Sequence, residues 1–190
     1  MGNPFDPNVY GPVVSALLQK DRLIELGPGN PDPEMEKRLA ALQVTDLFPS
    51  LRILDPPMAQ ACLAGLWLYH DFLHQSHRIS QSIPTATGSY WHGLMHRREP
   101  DYSNAKYWFR KVGNHPVFSD LCREAKALAD SESRFCPPFI ANQDEWNPFD
   151  FIDFCEECLQ VETPAEQLCR KIQQREWELL FDYCYKKAVW

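Results

Sequence analysis

Four of the helices this chain predicts open on a helix-capping side chain directly before a proline: Asp32-Pro33, Asp55-Pro56, Asn147-Pro148 and Thr163-Pro164. The capping oxygen can accept from the free N–H groups of the opening turn. Proline's fixed φ and missing N–H suit the first helical position. Beyond Thr163, Glu166 completes a capping box. This punctuation predicts helices near 12–20, 33–44, 56–82, 89–98, 104–112, 119–130, 148–160 and 164–188, with Gly113 stopping the fifth. No stretch sustains period-2 alternation with Val, Ile or Thr enrichment, so no strand is expected. The expected fold is an all-α, multi-helix bundle with long loops. At 190 residues and 44% hydrophobic content the chain can fill one core. We therefore expect a single helical domain over 1–190, with residues 1–55 packed on a main body formed by 56–190.

The formal net charge of -7 argues against nucleic acid and anionic membrane surfaces as partners, while leaving room for a small basic pocket. No Lys or Arg occurs between Arg134 and Arg170, a stretch rich in Asp and Glu that reads as a solvated acidic surface. Seven cysteines make an odd number, and residues 1–12 hold three prolines and no apolar run of the signal-peptide kind. The most apolar run, Ala61 to Tyr69, is far shorter than the ~20 residues of a membrane helix. These features lead us to expect a soluble, cytoplasmic protein.

Five of the six histidines fall in one segment, in two matching patterns: His70-x3-His74-x2-His77 and His92-x3-His96-x2-Glu99. At helical pitch each triple spans roughly 60° of circumference. Leu63, Leu66 and Trp67 share the side of the first triple, so an apolar stripe becomes a histidine stripe along one helix. Ser89 after Gly88 reads as the cap of the second helix, and Pro100 ends it. A short loop between the two favours an antiparallel αα-hairpin over 56–98 with the triples level, His74 and His77 facing His92 and His96. Neutral imidazoles on one helical face are good ligands for zinc, iron, manganese or nickel, which makes His74, His77, His92 and His96 the expected metal set. Neither helix carries His-Glu-x-x-His, and no Glu-x-x-His pair suggests a ferritin-like di-iron centre.

Downstream, Ser103 reads as the cap of a helix with Ala105, Trp108, Phe109 and Val112 on its apolar side and Lys106 and Arg110 together on another. With Arg97 or Arg98 they could grip a carboxylate or phosphate, Asn104, Tyr102 and Tyr107 supplying orienting hydrogen bonds. The other reading of these charges is a solvated basic face. Trp91, Trp108 and Tyr90 read as core and pocket wall rather than a stacking platform for bases. Cys155-x-x-Cys158 has no second such pair and lies in an amphipathic helix, so burial of small thiols is favoured over a zinc ribbon or a redox motif. Walker, dinucleotide-binding and nucleophile-elbow motifs do not occur.

The segments Cys62–Leu73, Ser89–Trp108 (with its WHGLMHRREPDYSNAKYW run) and Arg175–Cys184 resemble a group of bacterial proteins with fungal relatives. No activity is assigned to that group, and the resemblance covers most of the chain from residue 58 onward. It implies that the histidine and arginine block is the group's signature, and it transfers no catalytic role.

Two functions fit. One is an enzyme acting on a small anionic metabolite, its histidines holding a divalent metal or acting as acid/base groups, with hydrolysis or a related metal-assisted transformation as its reaction. Its catalytic residues would be His77, His92, His96 and Glu99, assisted by Asp71. Its substrate would be held by Arg97, Arg98, Asn104, Lys106, Tyr107 and Arg110. The alternative is a non-catalytic ligand-binding or interaction protein whose histidines form a structural hydrogen-bond network.

Overall fold

A computed structural model describes residues 5–18, 22–132, 136–160 and 165–190. Among them are ten α-helices, two short 3-10 helices at Pro7–Tyr10 and Val44–Leu47, and no strand. The fold is all-α. The helices are α1 (Gly11–Leu17), α2 (Pro33–Ala40), α3 (Pro56–Tyr69), α4 (Leu73–Ser80), α5 (Ala86–Arg98), α6 (Tyr102–Val112), α7 (Val117–Glu132), α8 (Pro138–Asn142), α9 (Pro148–Gln160) and α10 (Glu166–Val189). No helix among the described residues is long and apolar enough to cross a membrane.

The Asx-Pro starts work as chemistry predicts. Asp32 accepts from the Glu34 N–H, Asp55 from Met58 N–H and Asn147 from Phe149 N–H. The Thr163-Pro164 start and its capping box lie outside the described residues, as does the end of the first expected helix. Two caps are shifted from expectation. Thr85, not Ser89, caps α5 through the Gly88 N–H at 3.0 Å, and Asp101, not Ser103, caps α6 through Asn104 N–H.

α10 runs against α3, α7 and α9 and carries the aromatic column of the core. Trp177 and Phe181, one turn apart, stack at 5.0 Å between ring centroids, and Phe5 and Tyr10 pack edge-on against Phe181. Burying polar tips inside such a column requires partners. The Trp177 indole N–H donates to the Gly65 carbonyl at 2.9 Å, and the Tyr185 hydroxyl donates to the carbonyls of Tyr10 and Leu47. α5 is enclosed by α3, α4 and α6 and is buried from Thr87 to Arg98. Its approach to α6 is set by Gly93, where an added Cβ would lie 2.8 Å from the Phe109 ring. That closeness presses the α5 histidines onto α6.

The continuous helix expected over 56–82 is two helices. The break falls at His70–Phe72, with Asp71 in the left-handed region at φ 68°. Its cause is tertiary. The Asp71 carboxylate is paired with Arg22 and, at 2.5 Å, with Arg98. Arg98 also donates to the Leu68 carbonyl at the end of α3, which accepts the Asp71 N–H as well, and to the Gly27 carbonyl. The glycine loop closes over this knot so tightly that a Cβ on Gly29 would strike the Asp71 carboxylate.

Candidate metal centre

α4 is short and polar, and it packs on α5 through the stripe that contains the buried Ser76 and Ser80. Residue 77 lies beside that stripe and residue 74 is turned away from it. His77 therefore points at α5, while His74 is exposed. On α5, His92 and His96 sit one turn apart on the side facing α4 and α6. The three rings converge, with centroid separations of 4.5 Å for His77–His92, 4.8 Å for His92–His96 and 5.4 Å for His77–His96. One ring nitrogen from each lies within 4.8 Å of the others.

Hydrogen bonding sets which nitrogen of His92 is bare. Ser80 donates its only proton to the His77 carbonyl at 3.2 Å, so its oxygen is left to accept at 3.1 Å from His92 Nδ1. His92 then carries its proton on Nδ1 and presents the Nε2 lone pair. His96 Nδ1 lies 3.4 Å from a Glu99 carboxylate oxygen and 3.9 Å from an Asp101 oxygen. Neither approach completes a hydrogen bond, and Nδ1 is buried without a partner. With carboxylates on the Nδ1 side, Nε2 is the nitrogen free to serve a ligand. Burial, followed by the neighbouring rings and Lys111, holds His92 down to about 3, and burial also lowers His96 against the pull of Glu99. Both rings are neutral at physiological pH, the form that binds a metal.

The wall opposite comes from α6. Trp108 packs on His92 with ring centroids 4.1 Å apart, and the Lys111 ammonium lies 4.1 Å above the Trp108 ring and 4.5 Å above that of Tyr107.

The remaining sequence candidates lie elsewhere. His70 is buried beyond the break, with Nε2 2.8 Å from the Leu17 carbonyl, and does not join the cluster. Arg97 points to the opposite side of α5 and pairs with Glu176 of α10 at 2.5 Å, while Arg98 pairs with Asp71. Both guanidinium groups are internal to the protein, so the open anion-gripping face expected from Arg97 and Arg98 is replaced by two buried ion pairs, and Asp71 is spent there too. Asn104 is tied to Asp101, and Lys106 to Asp153. Lys106 and Arg110 line a groove of about 640 Å³ with Pro100, Asp101, Tyr102, Ser103 and Glu156. At helical pitch these two stand roughly 160° around α6 from Trp108. The groove thus shares Asp101 with the histidine site and is otherwise turned away from it.

Ser80 and Lys111 are the site residues that sequence reasoning passed over. Ser80 follows His77 by one helical turn, and Lys111 follows Trp108 in the same way, so each carried a spacing signal. Elsewhere, Cys155 and Cys158 are buried in α9, with Cys155 Sγ 3.4 Å from Cys169 Sγ of α10. All seven cysteines are free thiols, and burial pushes that of Cys169 far up, as expected of core cysteines.

Two histidines outside the cluster give a pH prediction. Burial lowers His70 and His115 from 6.5 to about 4 each. As pH falls the unfolded chain takes up these protons first, so their contribution is intact above about pH 6.5 and is lost toward pH 4. We expect stability to fall by roughly 1.4 kcal/mol per pH unit for each ring in that window, with His92 adding to the loss in metal-free protein. Urea midpoints between pH 7 and 5 measure this. A flat profile would contradict it.

The fold and site define an all-α protein with a three-imidazole cluster between α4, α5 and α6. No protein-family model, curated protein or solved structure matches the chain.

Proposed function

We infer that the protein holds one divalent transition-metal ion, of the zinc, iron, manganese or nickel kind, at His77, His92 and His96. We assign it metal-assisted chemistry, hydrolysis foremost, on a small anionic molecule. The observation that carries this reading is the convergence of three ring nitrogens within 4.8 Å. Zinc sits about 2.0–2.1 Å from imidazole nitrogen, which needs donors roughly 3–3.5 Å apart, a small side-chain adjustment from this arrangement. Three protein ligands and an open position are the pattern of catalytic rather than structural zinc. An ion there would polarise a substrate oxygen and bring the pKa of a bound water to about 7. Glu99 and Asp101, beside His96, are the carboxylates placed to take a proton or to orient that ring.

Elemental analysis of protein purified without a histidine tag tests the reading, with about one ion per chain as the expected result. Native protein that carries no metal and takes up none from zinc, iron, manganese or nickel solutions would overturn it. A second reading is supported by the Ser80–His92 bond and the Trp108 contact, which together hold His92 in place unaided. In that reading the rings are a structural network, and added metal leaves the melting temperature unchanged.

A further inference from the structure

Resting on the metal reading above, we propose that Lys111 is the anion-recognition residue of the three-histidine site and that the ligand class is a small monocarboxylate. The basic residues of this region divide by what they already hold. Arg97 faces Glu176, Arg98 and Arg22 share Asp71, and Lys106 is on Asp153. Arg110 stands on the far side of α6, in the groove with Glu156. Lys111 differs in both respects. Among the described residues no carboxylate lies within ion-pair distance of it, and it is on the histidine side of the helix. Its ammonium is held over Trp108 and Tyr107, and Trp108 is the ring that packs on His92. Cation–π contact holds an ammonium in place without neutralising it.

Charge balance narrows the ligand. The imidazoles bind a metal as neutral groups, and the carboxylates of Glu99 and Asp101 lie beside His96. Those two negative charges offset a divalent ion. The Lys111 ammonium is then the charge left over, and a single negative charge completes the site. A carboxylate supplies that charge. A phosphate dianion would bring an excess beside Glu99 and Asp101, which disfavours it.

The test uses the full chain loaded with Co²⁺, whose visible absorption responds to coordinated anions. Acetate is titrated at constant ionic strength set with perchlorate, and inorganic phosphate is the comparator. Wild type is expected to show a saturable acetate-dependent spectral change, with phosphate binding more weakly. Lys111→Gln should weaken acetate at least about tenfold, the loss expected for a charge-assisted hydrogen bond, with Co²⁺ uptake and helix content unchanged. Lys111→Arg should retain part of the affinity. Equal acetate affinity in wild type and Lys111→Gln would overturn the role of Lys111. Tighter binding of phosphate than acetate would overturn the monocarboxylate class. Co²⁺ uptake with no response to acetate defeats this proposal alone, whereas absence of Co²⁺ uptake defeats the metal reading and this proposal with it.

Discussion

Replacing Glu176 with alanine is expected to destabilise the protein by about 3–5 kcal/mol, the cost of leaving a buried partner charge uncompensated. Arg97 is fully enclosed, and its carboxylate contact is made by Nη2 alone, with Nε and Nη1 already lacking hydrogen-bond partners. Nη2 also donates to Gln173 Oε1 at 3.4 Å, and the Phe151 ring lies 4.7 Å from the guanidinium carbon. The second Glu176 oxygen accepts from the Tyr90 hydroxyl at 2.9 Å, so the same substitution strands a buried phenol. In a chain of this size the loss corresponds to a fall in Tm of roughly 10 °C. Glu176→Gln should also be costly, since it keeps the shape and loses the charge. Pairing Glu176→Leu with Arg97→Met should recover most of the loss, because removing both charges removes the desolvation penalty with the attraction. Thermal unfolding of the three variants measures this. A loss below about 1 kcal/mol in Glu176→Ala would show that the pair is not the buried contact described above.

The same pair marks where sequence reading reaches its limit. Helix type and most helix starts follow from local chemistry, as the Asp32, Asp55 and Asn147 caps show. Such signals lie within a few residues of the feature they create. The interruption of 56–82 has no such signal. Nothing between His70 and Phe72 is a glycine or proline, and Asp71 adopts φ 68° because Arg22 and Arg98 meet its carboxylate from 49 and 27 residues away. Arg97 and Arg98 are adjacent in sequence, yet α5 is enclosed on every side, so consecutive residues reach different neighbours. A solvated basic face and two internal ion pairs read alike from sequence alone.

The histidine site was legible in part for the same reason. The i,i+4 spacing of His92 and His96 survives because α5 is unbroken, and it puts both rings on one face. His77 meets them because the short loop returns the chain directly. The level rungs His74/His96 and His70/Glu99 do not form. The break at Asp71 resets the helical phase ahead of α4, and the inward stripe through Ser76 and Ser80 then turns His74 to solvent. His70 remains at the end of α3 and reaches Leu17 instead.

This geometry ranks the candidate metal ligands differently from the sequence pattern, and the ranking is measurable. His92→Ala is expected to abolish stoichiometric metal, since it removes the ring that touches both of the others and leaves two donors. His74→Ala should leave metal content unchanged, because that side chain is exposed outside the cluster. Ser80→Ala keeps all three rings but frees His92 to adopt either tautomer, and should weaken binding by roughly 10–100-fold, the usual cost of losing an outer hydrogen-bond partner. The Ser80 hydroxyl is buried, so the alanine variant also removes its bond to the His77 carbonyl. Circular dichroism at matched temperature separates that structural effect from the effect on affinity. Chelator competition with zinc gives the affinities, and elemental analysis gives the stoichiometry. If His74→Ala lost metal while His92→Ala retained it, the cluster between α4, α5 and α6 would not be the metal centre. Equal affinity in wild type and Ser80→Ala would remove the tautomer argument while leaving the three-ring site standing.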